Sequence, residues 1–357
     1  MRIFLKNLIY ILFLLPMGCI DPYQVDVPEG QQLLTVEGLI HTGLGPHAIT
    51  LTRSATYGSV FEGLIRPVTG AIVVIRDNEG QVTFLAEGPE ARGSYFTPAG
   101  FQAEIGKSYT LQIQTAERKI YTSLPERVES VPEIQNITIN TVTVPVEGET
   151  NVRSGIQLIS EFRDPADQNN FYFWRLSPIT YVLKTRPDLH TLRPFESPTG
   201  ERTPAPKPCC AVCFRTENIG NRSLFIAQDD NFNGLTTRIP AAFIEDDGLR
   251  FVEKLRVDLK QYGVSQEAYR FLRLVRQQAD INGSIFDPPP ATIRGNMINL
   301  EDPDEVVLGY FMAASEFSKR IYIDKMDLTF RQNESIIPDD CREVEGAIVD
   351  PPFDWNP

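Results

Sequence analysis

The chain has 357 residues, of which 42% are hydrophobic and 23% are charged, and its formal net charge is -13. This composition is typical of globular rather than disordered chains, and the acidic charge argues against binding to nucleic acid. With three histidines, the chain has little room for metal centres or catalytic triads built on imidazole.

The N-terminus has the features of an export signal followed by a tether. Arg2 and Lys6 precede an apolar run at residues 8–17. This run is too short to span a bilayer, since a spanning helix needs about 20 residues. A basic flank and a short apolar core are typical of a signal peptide. We therefore predict a signal at residues 1–18 and a polar tether at residues 19–32.

The residues LPMGC that end at Cys19 resemble a bacterial lipoprotein box. In such a box the cysteine thiol is acylated and the signal is cut before it. Gly18 fits the pattern, whereas Pro16 stands where the box has leucine, and Leu15 lies one position further out. The resemblance implies that Cys19 carries lipid. Several acyl chains anchor firmly, because each buried CH₂ contributes about 0.8 kcal/mol.

Residues 33–127 are predicted to form a β-sandwich of short strands. The clearest signal is a hairpin, in which AIVVIR and QVTFL flank the turn sequence DNEG at residues 77–80. The glycine supplies the positive φ that such a turn favours. This region is similar to the immunoglobulin- or transthyretin-like accessory domains of exported proteins.

Residues 128–345 are predicted to form a larger β-rich domain, followed by a tail at residues 346–357. Its strongest strand is the aromatic segment NFYFWRL at residues 170–176. The alternation of a strand predicts that about half of these aromatic side chains are core, and the others could stack on sugars. Three strand-like segments near the end of the domain suggest a meander that closes it.

One amphipathic helix is predicted near residues 265–282. Ser265 is a good N-cap, and one face of the segment is apolar. The other face carries Arg270, Arg273 and Arg276. These arginines are either simply solvated or contact an acidic partner.

Four cysteines remain once Cys19 is set aside, and they are Cys209, Cys210, Cys213 and Cys341. An even number in an exported chain predicts two disulfides, with three possible pairings. A bridge between the neighbours Cys209 and Cys210 would be strained. We therefore expect one long-range bridge from this cluster to Cys341 and one bridge inside the cluster. The rival interpretation is a zinc or redox site that uses Cys210 and Cys213 as C-x-x-C.

A calcium loop is a weaker candidate. Asp229, Asn231 and Asn233 precede Gly234 in the pattern D-x-N-x-N-G, which is the first half of an EF-hand loop. Pro240 stands where an EF-hand needs its bidentate glutamate, so the alternative is an Asx-rich turn. The sequence therefore predicts no cofactor, with calcium as the alternative.

Other chemistry finds little support in the sequence. His41, His47 and His190 lie in turn-like contexts without a spacing that suggests shared ligation. The acidic turns at residues 245–247 and 301–305 could supply paired glycosidase carboxylates, although exposed acidic turns are the ordinary interpretation. No common hydrolase, metalloprotease or nucleotide-binding motif is present, which favours a non-enzymatic protein.

Eight short segments spread over the chain carry a family resemblance. They are CIDP at residues 19–22, VEGLI at 36–40, DPA at 164–166, CCAVC at 209–213, DNFNG at 230–234, PPP at 288–290, RGN at 294–296 and VLGYF at 307–311. Together they resemble a family of Bacteroidota-type outer-membrane lipoproteins of unassigned function. The resemblance implies that the protein accompanies a TonB-dependent receptor, in the manner of Sus-type nutrient lipoproteins.

We therefore expect a lipid-anchored outer-membrane or cell-surface protein. Asp21 and Asp26 follow Cys19, and acids at this place favour the extracellular face in such bacteria. Its expected role is the non-enzymatic capture of a small or oligomeric nutrient for a TonB-dependent receptor. The alternatives are a surface-anchored hydrolase of polysaccharide or protein and an envelope adhesin.

Overall fold

The computed structural model describes residues 32–54, 66–145, 152–166, 168–220, 224–280 and 292–357. The predicted signal and Cys19 lie outside the described residues. The described chain is mainly β-structure with one α-helix, α1 (Gln266–Ala279), which confirms the fold class predicted from the sequence.

The strands of the described chain follow one another from Leu34 to Ile348. They are β1 (Leu34–His41), β2 (Ala48–Arg53), β3 (Arg66–Pro67), β4 (Ile72–Asp77), β5 (Val82–Glu87), β6 (Ser94–Phe96), β7 (Ser108–Gln114), β8 (Ile120–Ser123), β9 (Glu126–Arg127), β10 (Asn136–Pro145), β11 (Val152–Arg163), β12 (Phe171–Leu176), β13 (Ile179–Lys184), β14 (Thr191–Leu192), β15 (Thr203–Pro204), β16 (Val212–Glu217), β17 (Phe225–Gln228), β18 (Thr236–Glu245), β19 (Lys254–Gly263), β20 (Met297–Asn299), β21 (Leu308–Asp324) and β22 (Ala347–Ile348). Short 3₁₀ helices lie at Pro187–Leu189, Asp229–Asn231, Lys325–Asp327 and Cys341–Glu343.

Strands β1 to β9 form a sandwich-like unit. On one side β2 pairs with β1, β3 and β6, and on the other β7 pairs with β4, β8 and β9. Alternate residues of β7, which are Tyr109, Leu111 and Ile113, are buried. They pack in one core with Val36 and Leu51 from the opposite strands. The alternation follows from the pleat, which points successive side chains to opposite faces.

The predicted hairpin is present, because β4 and β5 pair in antiparallel register. Gly80 has a φ of 90° in the connecting turn. The Asp77 carboxylate accepts hydrogen bonds from the amides of Glu79 at 3.0 Å and Gln81 at 2.8 Å. The turn is therefore held by its own aspartate, as the local sequence indicates.

The strands after the helix do not close the second unit as a meander. β20 pairs antiparallel with β8 of the sandwich. The first half of β21 pairs in parallel with β1, from Thr35↔Leu308 to His41↔Ala314. Its second half pairs antiparallel with β19, so β21 belongs to both units.

The physical reason is the burial of both faces of β21. Phe311 and Ala313 enter the sandwich core, whereas Tyr310, Met312 and Ala314 belong to a separate cluster beside α1. A strand that is apolar on both faces needs cover on both sides, which an open meander does not provide.

The second unit has its own core. Strands β12, β13, β16, β17 and β19 pair with one another, and β10, β11 and β18 form a separate three-stranded sheet. Leu158 from this sheet packs in one cluster with Trp174 from β12. Gln261 joins the two sheets, since its Oε1 accepts from Trp174 Nε1 and from Ser160 Oγ, both at 2.9 Å.

Helix α1 begins where the sequence predicts. The Ser265 side chain accepts a hydrogen bond from the Ala268 amide at 3.0 Å, and Ala268 and Leu272 are buried. The predicted end of the helix at residue 282 lies outside the described residues. None of the helices that the structure describes is long and apolar enough to cross a bilayer.

All four remaining cysteines are in disulfides. Cys213 is bonded to Cys341 across a separation of 128 residues, and Cys209 is bonded to Cys210. The sequence argument disfavoured a bridge between these neighbours, and the structure differs from it. The peptide bond between them is cis, which sets their Cα atoms 3.1 Å apart.

Candidate functional site

A cleft of about 610 Å³ lies where the sandwich, α1 and the second sheet meet. Its lining residues come from β1, β2, β12, β19, α1 and β21 and from the loops that precede β2 and β17. This volume is within the range of small-molecule sites, which are commonly found where two structural units meet.

The first side of the cleft is the outer face of β1. Val36 and Ile40 point into the sandwich core. Because side chains alternate along a strand, Glu37, Leu39 and His41 lie on the opposite face, and they line the cleft.

Strand β12 divides its aromatic residues in the same way. Tyr172 and Trp174 are buried in the core of the second unit. Phe173 and Arg175 lie on the other face and line the cleft. The alternation predicted for this aromatic segment therefore separates core residues from lining residues.

The middle of the cleft is rich in aromatic side chains. The rings of Phe271 and Tyr310 are 4.8 Å apart, and the rings of Phe173 and Tyr262 are 5.9 Å apart. Aliphatic side chains complete this lining, and they include Leu39, Leu224, Leu272, Val275 and Met312. Such a surface fits a ligand that has an apolar or aromatic face.

Two histidines lie together at one end. The rings of His41 and His47 are 4.2 Å apart in an edge-to-face arrangement. His41 Nδ1 accepts a hydrogen bond from the Gly43 amide at 3.2 Å. Burial lowers the pKa of His41 to about 4, although Glu316 acts in the opposite direction. The His41 ring is therefore neutral near pH 7.

The carboxylate beside these histidines has a cationic partner. Glu316 Oε2 lies 3.2 Å from His41 Nδ1 and 3.0 Å from Lys260 Nζ. Burial also lowers the pKa of His47. His47 Nε2 is buried without a hydrogen-bond partner among the described residues. This end of the cleft thus has neutral imidazoles in its lining and a paired carboxylate behind them.

A buried carboxyl group lies at the N-terminus of α1. Glu126 is 2% exposed. It accepts hydrogen bonds from Ser265 Oγ at 2.7 Å and from Tyr310 Oη at 2.5 Å. Burial raises its pKa to about 7, and these hydrogen bonds act in the opposite direction. Tyr310 also lines the cleft, so Glu126 supports the lining from behind.

The predicted calcium residues differ in burial. Asp229 is 1% exposed, whereas Asn231 and Asn233 are exposed. Asp229 Oδ2 accepts a hydrogen bond from the Asn170 amide at 2.9 Å. Asp229 also raises the pKa of Asp164, although burial is the larger cause. Calcium binding at this turn stays a prediction.

The acidic turns have structural partners. Asp246 accepts hydrogen bonds from the amides of Gly248 at 2.9 Å and Gln332 at 2.8 Å. Glu305 accepts one from Tyr121 Oη at 2.9 Å. These carboxylates join their turns to other segments of the chain and lie outside the cleft lining.

The cysteine cluster does not offer thiolates. The sulfurs of Cys209 and Cys210 lie near the Asp340 carboxylate, the one such close group among the described residues. Both sulfurs are in a disulfide, and a metal-binding cysteine must be a thiolate. The proposed C-x-x-C metal or redox site therefore has no free thiol in this structure.

The sequence argument missed His41, His47 and Arg175 as lining residues. A signal for the histidines was available, because only five residues lie between them, around a Gly-Pro turn between β1 and β2, which pair. No such signal was available for Arg175, because the sequence does not tell which face of β12 meets the core.

The comparisons with known proteins give a family and no activity. A family model described as Domain of unknown function (DUF4249) matches residues 20–320. No curated protein matches the chain.

Proposed function

Because the chain belongs to the family described as Domain of unknown function (DUF4249), whose description names no activity, we propose a function from the cleft. In this proposal the protein captures a ligand with an apolar or aromatic face. It does so as a lipid-anchored protein of the outer membrane, and it hands the ligand to a TonB-dependent receptor without chemical change.

The observation that carries the proposal is the cleft itself. Its volume of about 610 Å³ and its aromatic lining suit a small molecule or one or two units of an oligomer. The paired Phe271 and Tyr310 rings present apolar surface beside polar groups from His41 and Arg175. Such a mixture supports binding with orientation.

The location rests on the sequence. A basic flank, a short apolar run and Cys19 support export and lipidation, and the family resemblance supports the outer membrane and the receptor.

Binding is tested with N-phenyl-1-naphthylamine, an uncharged aromatic probe that fluoresces in apolar sites. We expect saturable binding to the protein and a loss of about tenfold or more in affinity for Val275→Trp, because the larger ring fills the cleft. The matched control is Leu274→Trp, since Leu274 is 46% exposed and lies outside the lining. Equal binding by both variants would show that the probe does not enter the cleft.

Lipidation and partnership are tested in the producing bacterium. A fatty-acid label should enter the wild type and not Cys19→Ala. Gentle extraction of the labelled protein should co-purify a large β-barrel. An unlabelled wild type would refute the anchor, and the absence of a barrel would refute the partnership.

A further inference from the structure

We propose that the cleft selects ligands which carry an anionic group, and that Arg175 binds this group. The inference rests on the proposed function, because it names the ligand class of the same cleft. The ligand would have an apolar or aromatic body that ends in a carboxylate, sulfonate or phosphate.

The first argument is the lack of a partner for Arg175. Its guanidinium lies 5.8 Å from the centre of the Phe173 ring and has no hydrogen bond or ion pair with any residue that the structure describes. Other partly buried arginines are paired, and Arg250 lies 2.5 Å from Glu217. With 47 acidic and 34 basic residues in the chain, carboxylates are abundant. A cleft arginine without one is available to a ligand.

The second argument is its position. Arg175 lies two residues from Phe173 on the same face of β12, so its charge borders the aromatic surface of the cleft. Phe173 pairs with Tyr262, another lining residue, and Arg175 pairs with Lys260 two positions further along the same two strands. A guanidinium can donate two parallel hydrogen bonds to a carboxylate or phosphate, and no described residue accepts a hydrogen bond from Arg175.

The third argument is the distribution of the other charges. Glu37 also lines the cleft and has no ion pair among the described residues. It lies four residues from His41 along β1, which is about 13 Å of strand. The His41 ring is 5.7 Å from the Tyr262 ring, and β12, which carries Arg175, pairs with the strand of Tyr262. Glu37 thus lies further back along β1 than the end at which His41 meets Tyr262, and its negative charge disfavours an anion at its own end.

The remaining titratable groups do not compete with Arg175 for the anion. Burial keeps His41 and His47 neutral near pH 7. Lys260 is neutralised by Glu316, 3.0 Å away. Arg175 thus holds the one uncompensated positive charge among the described lining residues.

A pair of probes tests the proposal. N-phenyl-1-naphthylamine is uncharged, and 1-anilinonaphthalene-8-sulfonate has the same two ring systems with one sulfonate added. We expect Arg175→Gln to weaken binding of the sulfonate by about tenfold, because a charge-assisted contact is lost, and to change binding of the uncharged probe by less than about twofold. The matched control is Arg273→Gln, because Arg273 is an exposed arginine outside the cleft lining, and this variant should leave both affinities unchanged.

The outcomes separate this inference from the proposed function. If neither probe binds the wild type, the ligand-capture function itself is wrong. If both probes bind and Arg175→Gln affects neither, or both equally, the cleft binds ligands but Arg175 does not select anions. A measurement that needs no variant checks the same point, because added salt should weaken the sulfonate and not the uncharged probe. Equal salt dependence would overturn the inference.

Discussion

Glu126 gives the sharpest prediction, because it is an ionisable group that is buried between the sandwich, the start of α1 and β21. It is 2% exposed, and burial raises its pKa from the ordinary 4.5 to about 7. Glu126→Gln removes the ionisation and retains a carbonyl oxygen that can accept from Ser265 or Tyr310.

The sign follows from proton binding in the two states. Below about pH 4.5 the carboxyl group is protonated in both states. Between about pH 4.5 and 7 the unfolded chain releases the proton while the folded chain keeps it, so the free energy of unfolding falls as the pH rises. A shift of the pKa from 4.5 to about 7 lowers the free energy of unfolding by about 3 kcal/mol, and this decrease is complete above pH 7.

The assay is urea unfolding followed by tryptophan fluorescence at several values between about pH 4.5 and pH 8. The difference in unfolding free energy, Glu126→Gln minus wild type, should rise by about 3 kcal/mol over this range. The difference between the two proteins removes the pH-dependent contributions of the other titratable groups. One of these is His41, whose lowered pKa favours the folded state at higher pH. The control is Glu133→Gln, because Glu133 is exposed.

A difference that stays constant over the pH range would refute the reasoning, since it would mean that Glu126 ionises alike in both states. A constant difference for Glu133→Gln is expected. A rise in that control as large as in Glu126→Gln would show that the effect does not come from burial.

Two further predictions concern the long-range contacts. Replacing both Cys213 and Cys341 by serine should lower the free energy of unfolding by about 5 kcal/mol in the chain-entropy model, because their bridge closes a separation of 128 residues, and a loss below about 2 kcal/mol in urea unfolding would contradict it. Gly309→Ala should lower the free energy of unfolding by about 3 kcal/mol or more. Gly309 has a φ of +79°, and an added Cβ would lie 2.0 Å from the Val36 carbonyl oxygen. Gly80→Ala is the control, with a φ of +90° and open space around it, and its thermal unfolding temperature should fall less.

Several features of the fold follow from local sequence. The Asp77–Gly80 turn has its own capping aspartate and a glycine at positive φ, so its hairpin could be predicted without knowledge of the rest. Ser265 likewise marks the start of α1, because an N-cap acts on the residues that directly follow it. These signals are local, and they survive in the folded protein.

The cleft depended on contacts between distant parts of the chain. The alternation along β12 predicts two faces, yet it does not tell which face meets a core and which meets a ligand. The contacts of β12 decide which face meets the core. β12 pairs with β19, and α1 packs with Phe173, whereas Trp174 belongs to the core of the second unit. Arg175 lies in the cleft because it is on the same face of β12 as Phe173.

The sequence by itself determined that the protein is a mainly β chain with one helix, which the structure confirms. Export and a lipid anchor at Cys19 stay predictions from the N-terminal sequence. The tertiary structure alone decided that β21 joins both units, with Val36↔Gly309 paired across the chain. The local pattern of apolar residues indicates which side chains are buried. The partner of a strand depends on how well both of its faces are covered, and this depends on distant segments that come together only in the folded chain.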